Sequence, residues 1–279
     1  MTNTGRIVLI IITLLALVLL WGKVSWYQYT TDLFEKVYSS GAGQERYIDL
    51  DEIENLPAPV QKYFRLVLKE GAPMISHAFV LQKGGFRTDP EMEGWSDMEA
   101  EQYYAVRPAG FAWSASIAML PFLSVDVCDS YIEGKGHVKG RFVSLFRIVD
   151  AHGTKELDSA ALQRYLAEAV WFPTALLPSQ GVTWQAIDDY KAKATLSDSN
   201  NSVSLEFGFN DKGEIVSVYA PDRYREVSGD YMPTPWQGRY GKYIDIEGYR
   251  IPSQAEVEWQ LEEQTYPYWR ATIEQVKYD

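Results

Sequence analysis

Alternation of apolar and polar residues along most of the chain is the feature that most restricts its fold. Residues 203–209 read VSLEFGF and residues 256–261 read EVEWQL, so every second side chain is apolar. This period places the apolar side chains on one face of a strand and the polar ones on the other. We expect about five such strands in residues 75–149 and seven more in residues 182–278. A meander of about a dozen antiparallel strands must curl, split or close, so we predict a strongly curved, half-open barrel.

Two short helices interrupt the strand pattern. Residues 60–68 carry apolar side chains at helical spacing, and residues 155–172 do the same between Thr154, a suitable N-cap, and Pro173, a helix stop. We expect these helices to cover the mouth or fill the concave side of the barrel. The predicted fold class is α+β, mostly antiparallel β. With no internal repeat and no long linker, residues 49–279 form a single domain.

An uncharged apolar segment precedes this domain. Residues 7–20 contain one Thr and no charge, between Arg6 and Lys23. As a helix, the stretch from Arg6 to Lys23 spans about 25 Å, close to the hydrocarbon layer of a bilayer. A cleaved signal peptide is the alternative, but no small-x-small pattern follows the segment, and aromatic residues suited to a membrane interface do. We predict a single transmembrane anchor at residues 6–22.

The charge of the remaining chain excludes some partners and suggests others. Beyond residue 23 there are 24 basic and 38 acidic side chains, a net charge of −14. We therefore expect no nucleic-acid partner, and repulsion from anionic lipid headgroups. Residues 23–48 are interpreted as a tether that holds the body off the membrane. The cationic residues bias the orientation weakly, and we expect a single-pass protein of the bacterial inner (plasma) membrane with its C-terminal domain outside the cytoplasm.

Six short segments resemble a bacterial membrane-anchored family, a domain of unknown function. They are LPAPVQKY (56–63), AEAVWFPTALLP (167–178), VTWQAIDD (182–189), PTPWQGRY (233–240), RIP (250–252) and PYWR (267–270). The resemblance covers about residues 50–279 and implies no catalytic residue. The order of strands and helices is also similar to that of the periplasmic lipoprotein-carrier superfamily (LolA, LolB and relatives). That similarity implies a LolA-like half-open barrel with a helical lid that holds acyl chains.

The common catalytic and metal-binding motifs are missing from the sequence. His77, His137 and His152 have no metal-site spacing, and Cys128 is the only cysteine. Asp150 beside His152 suggests an acid that orients a base, but a solvated loop is the interpretation we favour. No nucleophile elbow, phosphate loop or dinucleotide motif occurs. We therefore predict no catalytic residue, no metal ligand and no cofactor.

Two charged groups have alternative interpretations. Arg164 and Glu168, one helical turn apart, form either a surface ion pair or a buried polar clamp that faces a ligand. We favour the surface pair, because both residues lie opposite the main apolar stripe of the helix. Residues 222–226, DRYRE, form either a headgroup-binding rim or, as we favour, a solvated strand end.

Bulky residues in and after the second helix, together with tryptophans of the strands, are the candidates for a ligand pocket. The segment after the helix is apolar where a loop is usually polar, which indicates a core plug or a mobile lid, and we favour the plug. The strand tryptophans are either core residues or the lining of an apolar pocket. The candidate ligand-binding residues are Tyr165, Trp171, Phe172, Leu176, Leu177, Trp184, Trp236 and Arg223.

Three functions remain open. The first is a membrane-anchored extracytoplasmic binding module whose half-barrel holds a lipid or an acyl chain, with the membrane as its other partner. The second is an envelope scaffold whose barrel is packed solid. The third and least favoured is a hydrolase-type enzyme that uses Glu168, or Asp188 with Asp189, although adjacent carboxylates on a strand end point apart.

Overall fold

The computed structural model describes residues 2–41 and 45–279. Within them the helices are α1 (Asn3–Ser40), α2 (Ala58–Val67) and α3 (Lys155–Glu168). The strands are β1 (His77–Phe86), β2 (Ser96–Ala105), β3 (Gly110–Leu120), β4 (Leu123–Ile132), β5 (Lys135–Phe142), β6 (Phe146–His152), β7 (Val182–Asp188), β8 (Lys191–Asp198), β9 (Asn201–Phe209), β10 (Ile215–Val227), β11 (Asp230–Ile246), β12 (Tyr249–Gln260) and β13 (Thr265–Tyr278). Short 3₁₀ turns occupy much of residues 169–180.

All thirteen described strands belong to one antiparallel sheet with the order β6-β5-β4-β3-β2-β1-β13-β12-β11-β10-β9-β8-β7. Nearly every strand pairs with its neighbour in sequence, while β1 pairs with β13 in the middle of the sheet. The outermost strands, β6 and β7, do not pair with each other, so the curved sheet stays open. The predicted half-open barrel is confirmed, with one more strand in the first half than we expect from the sequence.

The concave side of the sheet holds the main core. Helices α2 and α3 and the turns of residues 169–180 lie there, and Tyr63, Phe64, Leu166 and Phe172 are fully buried. Helix α3 contacts β5 on one side and β9 and β10 on the other, so it bridges the open barrel. The segment after α3 is buried, as the core-plug interpretation requires.

The predicted N-cap sets the start of α3. The hydroxyl of Thr154 accepts a hydrogen bond from the backbone N–H of Leu157 at 3.2 Å. The regular helix ends at Glu168, four residues before the predicted end, and continues as 3₁₀ turns up to and beyond Pro173. The first turn is held on β5 through Asp158, which accepts hydrogen bonds from Lys135 Nζ at 2.9 Å and from the backbone N–H of Gly136 at 2.8 Å.

The predicted anchor and residues 23–40 of the predicted tether form one continuous helix. α1 is long and apolar enough to span a membrane, and residues 7–20 are exposed. Its second half packs on the convex face of β2, β3 and β4, where Trp26, Leu33 and Val37 contact Ala105, Ala112 and Cys128. In the sequence, these α1 side chains recur at helical spacing, which is typical of a helix packed on another surface. The predicted division into anchor and tether did not take this pattern into account. Of the predicted tether, residues 42–44 lie outside the described residues.

A substitution at Gly136 tests how closely α3 packs on the sheet. A Cβ at this position would lie 2.7 Å from the backbone oxygen of Leu157. We expect Gly136→Ala to lower the free energy of unfolding by about 1–3 kcal/mol, because backbone has to move. The measurement is thermal unfolding of the full chain in detergent, followed by circular dichroism.

The matched control is Gly241→Ala, also on a strand, where nothing lies within 4 Å of the added Cβ. We expect this variant to be as stable as the parent or slightly more stable. Equal unfolding temperatures for the two variants would contradict the close packing of α3 on β5.

Candidate functional site

A cavity of about 220 Å³ remains on the concave side of the sheet, beside α3. Strands β1, β3, β4, β5 and β10–β13 each contribute one or two side chains to its floor and walls. Much of the wall is aromatic: Phe86, Trp113, Trp171, Trp236, Tyr268 and Trp269. Four charged side chains also line it, namely Asp129, Arg164, Glu168 and Arg223. An aromatic cavity with a few convergent polar groups has the composition of a small-molecule site.

Arg164 lies at the centre of a partly buried ion cluster. Its Nε donates to Glu168 Oε1 at 2.8 Å, and its Nη1 donates to Asp129 Oδ2 at 2.6 Å. The three side chains are only 14%, 13% and 24% exposed. The preferred interpretation as a surface pair is therefore wrong, because both partners are largely buried. Because α3 bridges two parts of the sheet, the face opposite its main apolar stripe is buried as well.

A chain of hydrogen bonds fixes the other oxygen of Glu168. Oε2 accepts from Gln102 Nε2 at 2.7 Å and from Tyr104 Oη at 3.0 Å. Gln102 in turn accepts from Gln82, and Gln82 accepts from the indole N–H of Trp113. Such connected networks hold their members in one geometry. Glu168 is thus a positioned structural acceptor with both oxygens occupied.

Asp129 differs from Glu168 because one of its oxygens is unused. Oδ1 is buried and has no hydrogen-bond partner among the described residues. Burial raises the pKa of Asp129 above its ordinary value, although the charge of Arg164 acts in the opposite direction. Burial alone would lower the pKa of Arg164, but the carboxylates of Glu168 and Asp129 raise it, so the guanidinium stays charged. The cavity therefore contains a carboxyl group that binds a proton more readily than usual.

Arg223 is the second buried arginine that lines the cavity. Its guanidinium carbon lies 4.9 Å from the ring centre of Trp236 and 5.3 Å from that of Trp259. It donates to Tyr268 Oη at 3.2 Å and to the backbone oxygen of Ala160 at 3.4 Å, and it forms no salt bridge within residues 2–41 and 45–279. The preferred interpretation of residues 222–226 as a solvated strand end is wrong for Arg223, which is 9% exposed. A bulge between Ala220 and Arg223 changes the register of β10 there.

Three N–H donors of the cavity residues lack partners among the described residues. They are Arg223 Nε, Trp171 Nε1 and Trp269 Nε1, and all three are buried. Buried donors are nearly always paired, because an unpaired one costs about 1–3 kcal/mol. Oxygen acceptors placed in this cavity, from water or from a ligand, would pair with these donors.

The structure brings three of the eight candidate ligand-binding residues to this cavity: Arg223, Trp171 and Trp236. The other five are elsewhere in the core: Tyr165, Phe172, Leu176, Leu177 and Trp184. Tyr165 Oη donates to the backbone oxygen of Ala105, and Trp184 Nε1 donates to that of Leu176. Their bulk alone did not distinguish core from pocket lining.

Sequence reasoning missed Asp129, although a signal was present. Asp129 lies two residues from Val127 and from Tyr131 along β4, so its side chain is an acid on the apolar face of that strand, which Val125 shares. A charge on a face that must be buried needs a partner, and Arg164 supplies it. Asp188, in contrast, is on the exposed end of β7, where it accepts from the backbone N–H of Tyr190.

A second polar cluster lies on β5 and β6. His137 and His152 are paired across the strands, and both contact Asp150, at 2.8 Å and 3.5 Å. The spacing in sequence does not reveal this proximity, which places three potential ligand atoms within 4.8 Å of one another. Asp150 also lies 3.9 Å from Arg147, and the hydrogen bond from His137 lowers the pKa of Asp150. We interpret the group as a structural polar cluster, because Asp150 already interacts with His137 and lies near the cationic side chain of Arg147.

Comparison with known proteins identifies a family but no function. The model of the Family of unknown function (DUF6920) matches residues 54–278. No curated protein and no solved structure matches the chain.

Replacing Arg164 tests the buried ion cluster. In Arg164→Met the carboxylates of Asp129 and Glu168 keep their burial but lose their cation, so we expect a loss of about 3–5 kcal/mol near neutral pH. The pKa of Asp129, already raised, rises further above its unfolded value. The folded state then binds protons more tightly than the unfolded state, so the loss is smallest at low pH and grows as the pH rises.

The measurement is urea unfolding of the full chain in detergent at about pH 5 and about pH 8, always relative to the parent. Lys83→Met is the control, because Lys83 and Glu99 form an exposed pair at 3.1 Å. We expect this control to show little loss at either pH. A loss in Arg164→Met that is independent of pH would argue against the buried cluster.

Proposed function

The chain belongs to the DUF6920 family of unknown function, and we propose from the chemistry of its cavity that the body is a binding module for a small amphiphilic ligand. The observation that carries the proposal is the group of unpaired buried donors, Arg223 Nε, Trp171 Nε1 and Trp269 Nε1, in an otherwise aromatic wall. An acceptor oxygen of a ligand head pairs with these donors, and an apolar tail packs on the aromatic rings.

Arg223 favours an anionic head over a neutral one. Its guanidinium is buried and forms no salt bridge within the described part of the chain, whereas Arg164 is already paired with two carboxylates. A carboxylate or phosphate ligand would provide the counter-charge, and hydrogen bonds to charged groups contribute about 1.5–3 kcal/mol. Asp129, with its raised pKa, can donate a hydrogen bond to the same head when it is protonated.

The size of the cavity limits the tail. At about 30 Å³ for a water-sized group, a volume of about 220 Å³ accommodates roughly seven groups. A short chain fits, as does one segment of a longer chain, but not the whole tail of a membrane lipid. Burying seven methylenes stabilises the complex by about 6 kcal/mol before ordering costs, which predicts weak binding, in the range from millimolar to micromolar.

The similarity of strand and helix order to LolA-like lipoprotein carriers supports a carrier role on the extracytoplasmic side of the bacterial inner membrane. A lone first span followed by a long domain is also typical of proteins whose body is translocated. We therefore expect alkaline phosphatase fused after Asp279 to be active in bacterial cells, because that enzyme folds only where disulfides form. A green fluorescent protein fused at the same position is the control, and bright fluorescence with an inactive phosphatase would reverse the orientation.

Comparison of octanoate with 1-octanol tests the proposed ligand class. The two ligands share a tail and differ in the head. With the full chain in lipid nanodiscs, we expect octanoate to bind at least about tenfold more tightly than 1-octanol, a difference of about 1.4 kcal/mol. Calorimetric titration, corrected with empty nanodiscs, measures both affinities.

Arg223→Met should remove most of this preference and leave the affinity for 1-octanol unchanged. Arg270→Met is the matched control, because Arg270 is exposed and its guanidinium lies over Trp95, outside the cavity. A chain that binds neither ligand would favour the alternative of an envelope scaffold. An equal loss of octanoate binding in both variants would exclude Arg223 as the specific anion partner.

A further inference from the structure

Helix α1 runs along the convex face of the sheet from one end of the strands to the other. Where α1 first meets the sheet, Gly22 touches the turn between β5 and β6, since a Cβ at Gly22 would lie 2.5 Å from the side chain of Leu145. Near the C-terminal end of α1, at the other end of the strands, Tyr38 packs on His77, the first residue of β1, with ring centres 4.8 Å apart. The apolar residues 7–20 therefore project beyond the end of the sheet at which Leu145 lies.

Two hairpin turns meet at this end of the sheet. One joins β3 and β4 through Pro121 and Phe122, and the other joins β5 and β6 through residues 143–145. The backbone N–H of Val143 donates to the oxygen of Ser124 at 2.8 Å, so the two turns lie side by side. We call residues 119–123 and 143–148 the hairpin tips.

The hairpin tips expose large apolar side chains. Phe122 is fully exposed, and Leu120, Phe146 and Ile148 are more than half exposed. Single exposed apolar residues are ordinary, but a group of them on neighbouring turns indicates a contact surface.

The distance along α1 identifies what covers this surface. Leu145 packs at Gly22, two residues or about 3 Å beyond Leu20, the last residue of the apolar segment. The headgroup layer on each side of the hydrocarbon is about 5–7 Å thick. With residues 7–20 in a bilayer, the hairpin tips lie within the headgroup layer.

The length of the apolar segment supports the same conclusion. Its fourteen residues rise about 21 Å as a helix, roughly 9 Å less than a typical hydrocarbon layer. Apolar side chains beside the end of a short span extend the apolar surface of the protein on that side. They thereby reduce the mismatch between the length of the span and the thickness of the hydrocarbon layer.

Charge distinguishes the hairpin tips from the other loops at this end of the sheet. Residues 115–125 carry no charge, and residues 142–149 carry only Arg147. The loop of residues 87–95 instead contains three acids and one base, and that of residues 261–264 contains two acids. Anionic lipid headgroups therefore repel those loops but not the tips, despite the net negative charge of the body.

We propose that the hairpin tips insert into the lipid bilayer beside α1, so that the body rests on the membrane and does not stand off from it. Phe122, Leu120 and Phe146 are the inserted side chains. The cavity lies toward the same end, since Phe86, which lines it, is the last residue of β1 and pairs with Trp269. A ligand thus has a short path from the bilayer, although the insertion itself does not depend on the proposed ligand.

The test uses cysteines labelled with the fluorophore NBD in the full chain. Cys128 is buried, which raises the pKa of its thiol, so the unsubstituted chain should label little and serves as the background. The labelled variants are Phe122→Cys and Phe146→Cys. They are reconstituted in phosphatidylcholine vesicles with or without lipid that carries a nitroxide on its acyl chain.

The control is Glu133→Cys, in the exposed turn at the opposite end of β4, about 30 Å away along the strand. Glu133 and Phe122 both have positive φ angles, so the two substitutions meet similar backbone constraints. We expect the nitroxide lipid to cause a several-fold loss of fluorescence at positions 122 and 146 and no loss at position 133.

Equal fluorescence with and without nitroxide lipid at positions 122 and 146 would overturn the proposal. A blue-shifted emission without quenching would do the same, and would indicate that another protein surface covers the tips. Both outcomes are independent of octanoate binding, so this proposal and the proposed function can fail separately.

Discussion

Burial of the concave face of an open thirteen-stranded sheet is the constraint on which the rest of the structure depends. The sheet is too wide to stay flat, and its outer strands β6 and β7 do not pair. Helix α3 and the turns of residues 169–180 solve this problem by filling the open barrel between β5 and β9. Since α3 touches the sheet on two sides, nearly every residue from Leu157 to Ala167 is buried or partly buried, whatever its polarity.

The ion cluster follows from that position of α3. A guanidinium within the core needs compensating charge, and the β4 carboxylate of Asp129 provides it together with Glu168. Arg223, which also lines the cavity, has aromatic rings and neutral acceptors around it and forms no salt bridge within the described residues. This asymmetry between two buried arginines is the basis of the proposed preference for an anion, because an empty packing defect would be lined by apolar groups.

Helix α1, which is long and apolar enough to span a membrane, also packs on the body. A flexible tether would leave the orientation of the barrel free, whereas a continuous helix packed on β2, β3 and β4 sets which end of the sheet approaches the bilayer. The same end carries the apolar hairpin tips and the aromatic residues of the cavity. In the membrane arrangement that we propose, the apolar segment of α1, the hairpin tips and the cavity have fixed relative positions, so position along α1 would determine depth in the membrane.

The sequence by itself determined the strand-rich half-barrel, the positions of α2 and α3 and the apolar segment of α1, because these depend on local periodicity, caps and composition. It did not determine that Arg164 is buried, that His137 meets His152 or that Arg223 faces a cavity while Trp184 packs in the core. Those outcomes depend on strand register, on a bulge in β10 and on α3 crossing the sheet, each of which joins residues far apart in the chain. Only the tertiary structure decides such contacts, because a residue's period assigns it to a face and the packing of other elements decides whether that face is core, cavity or solvent.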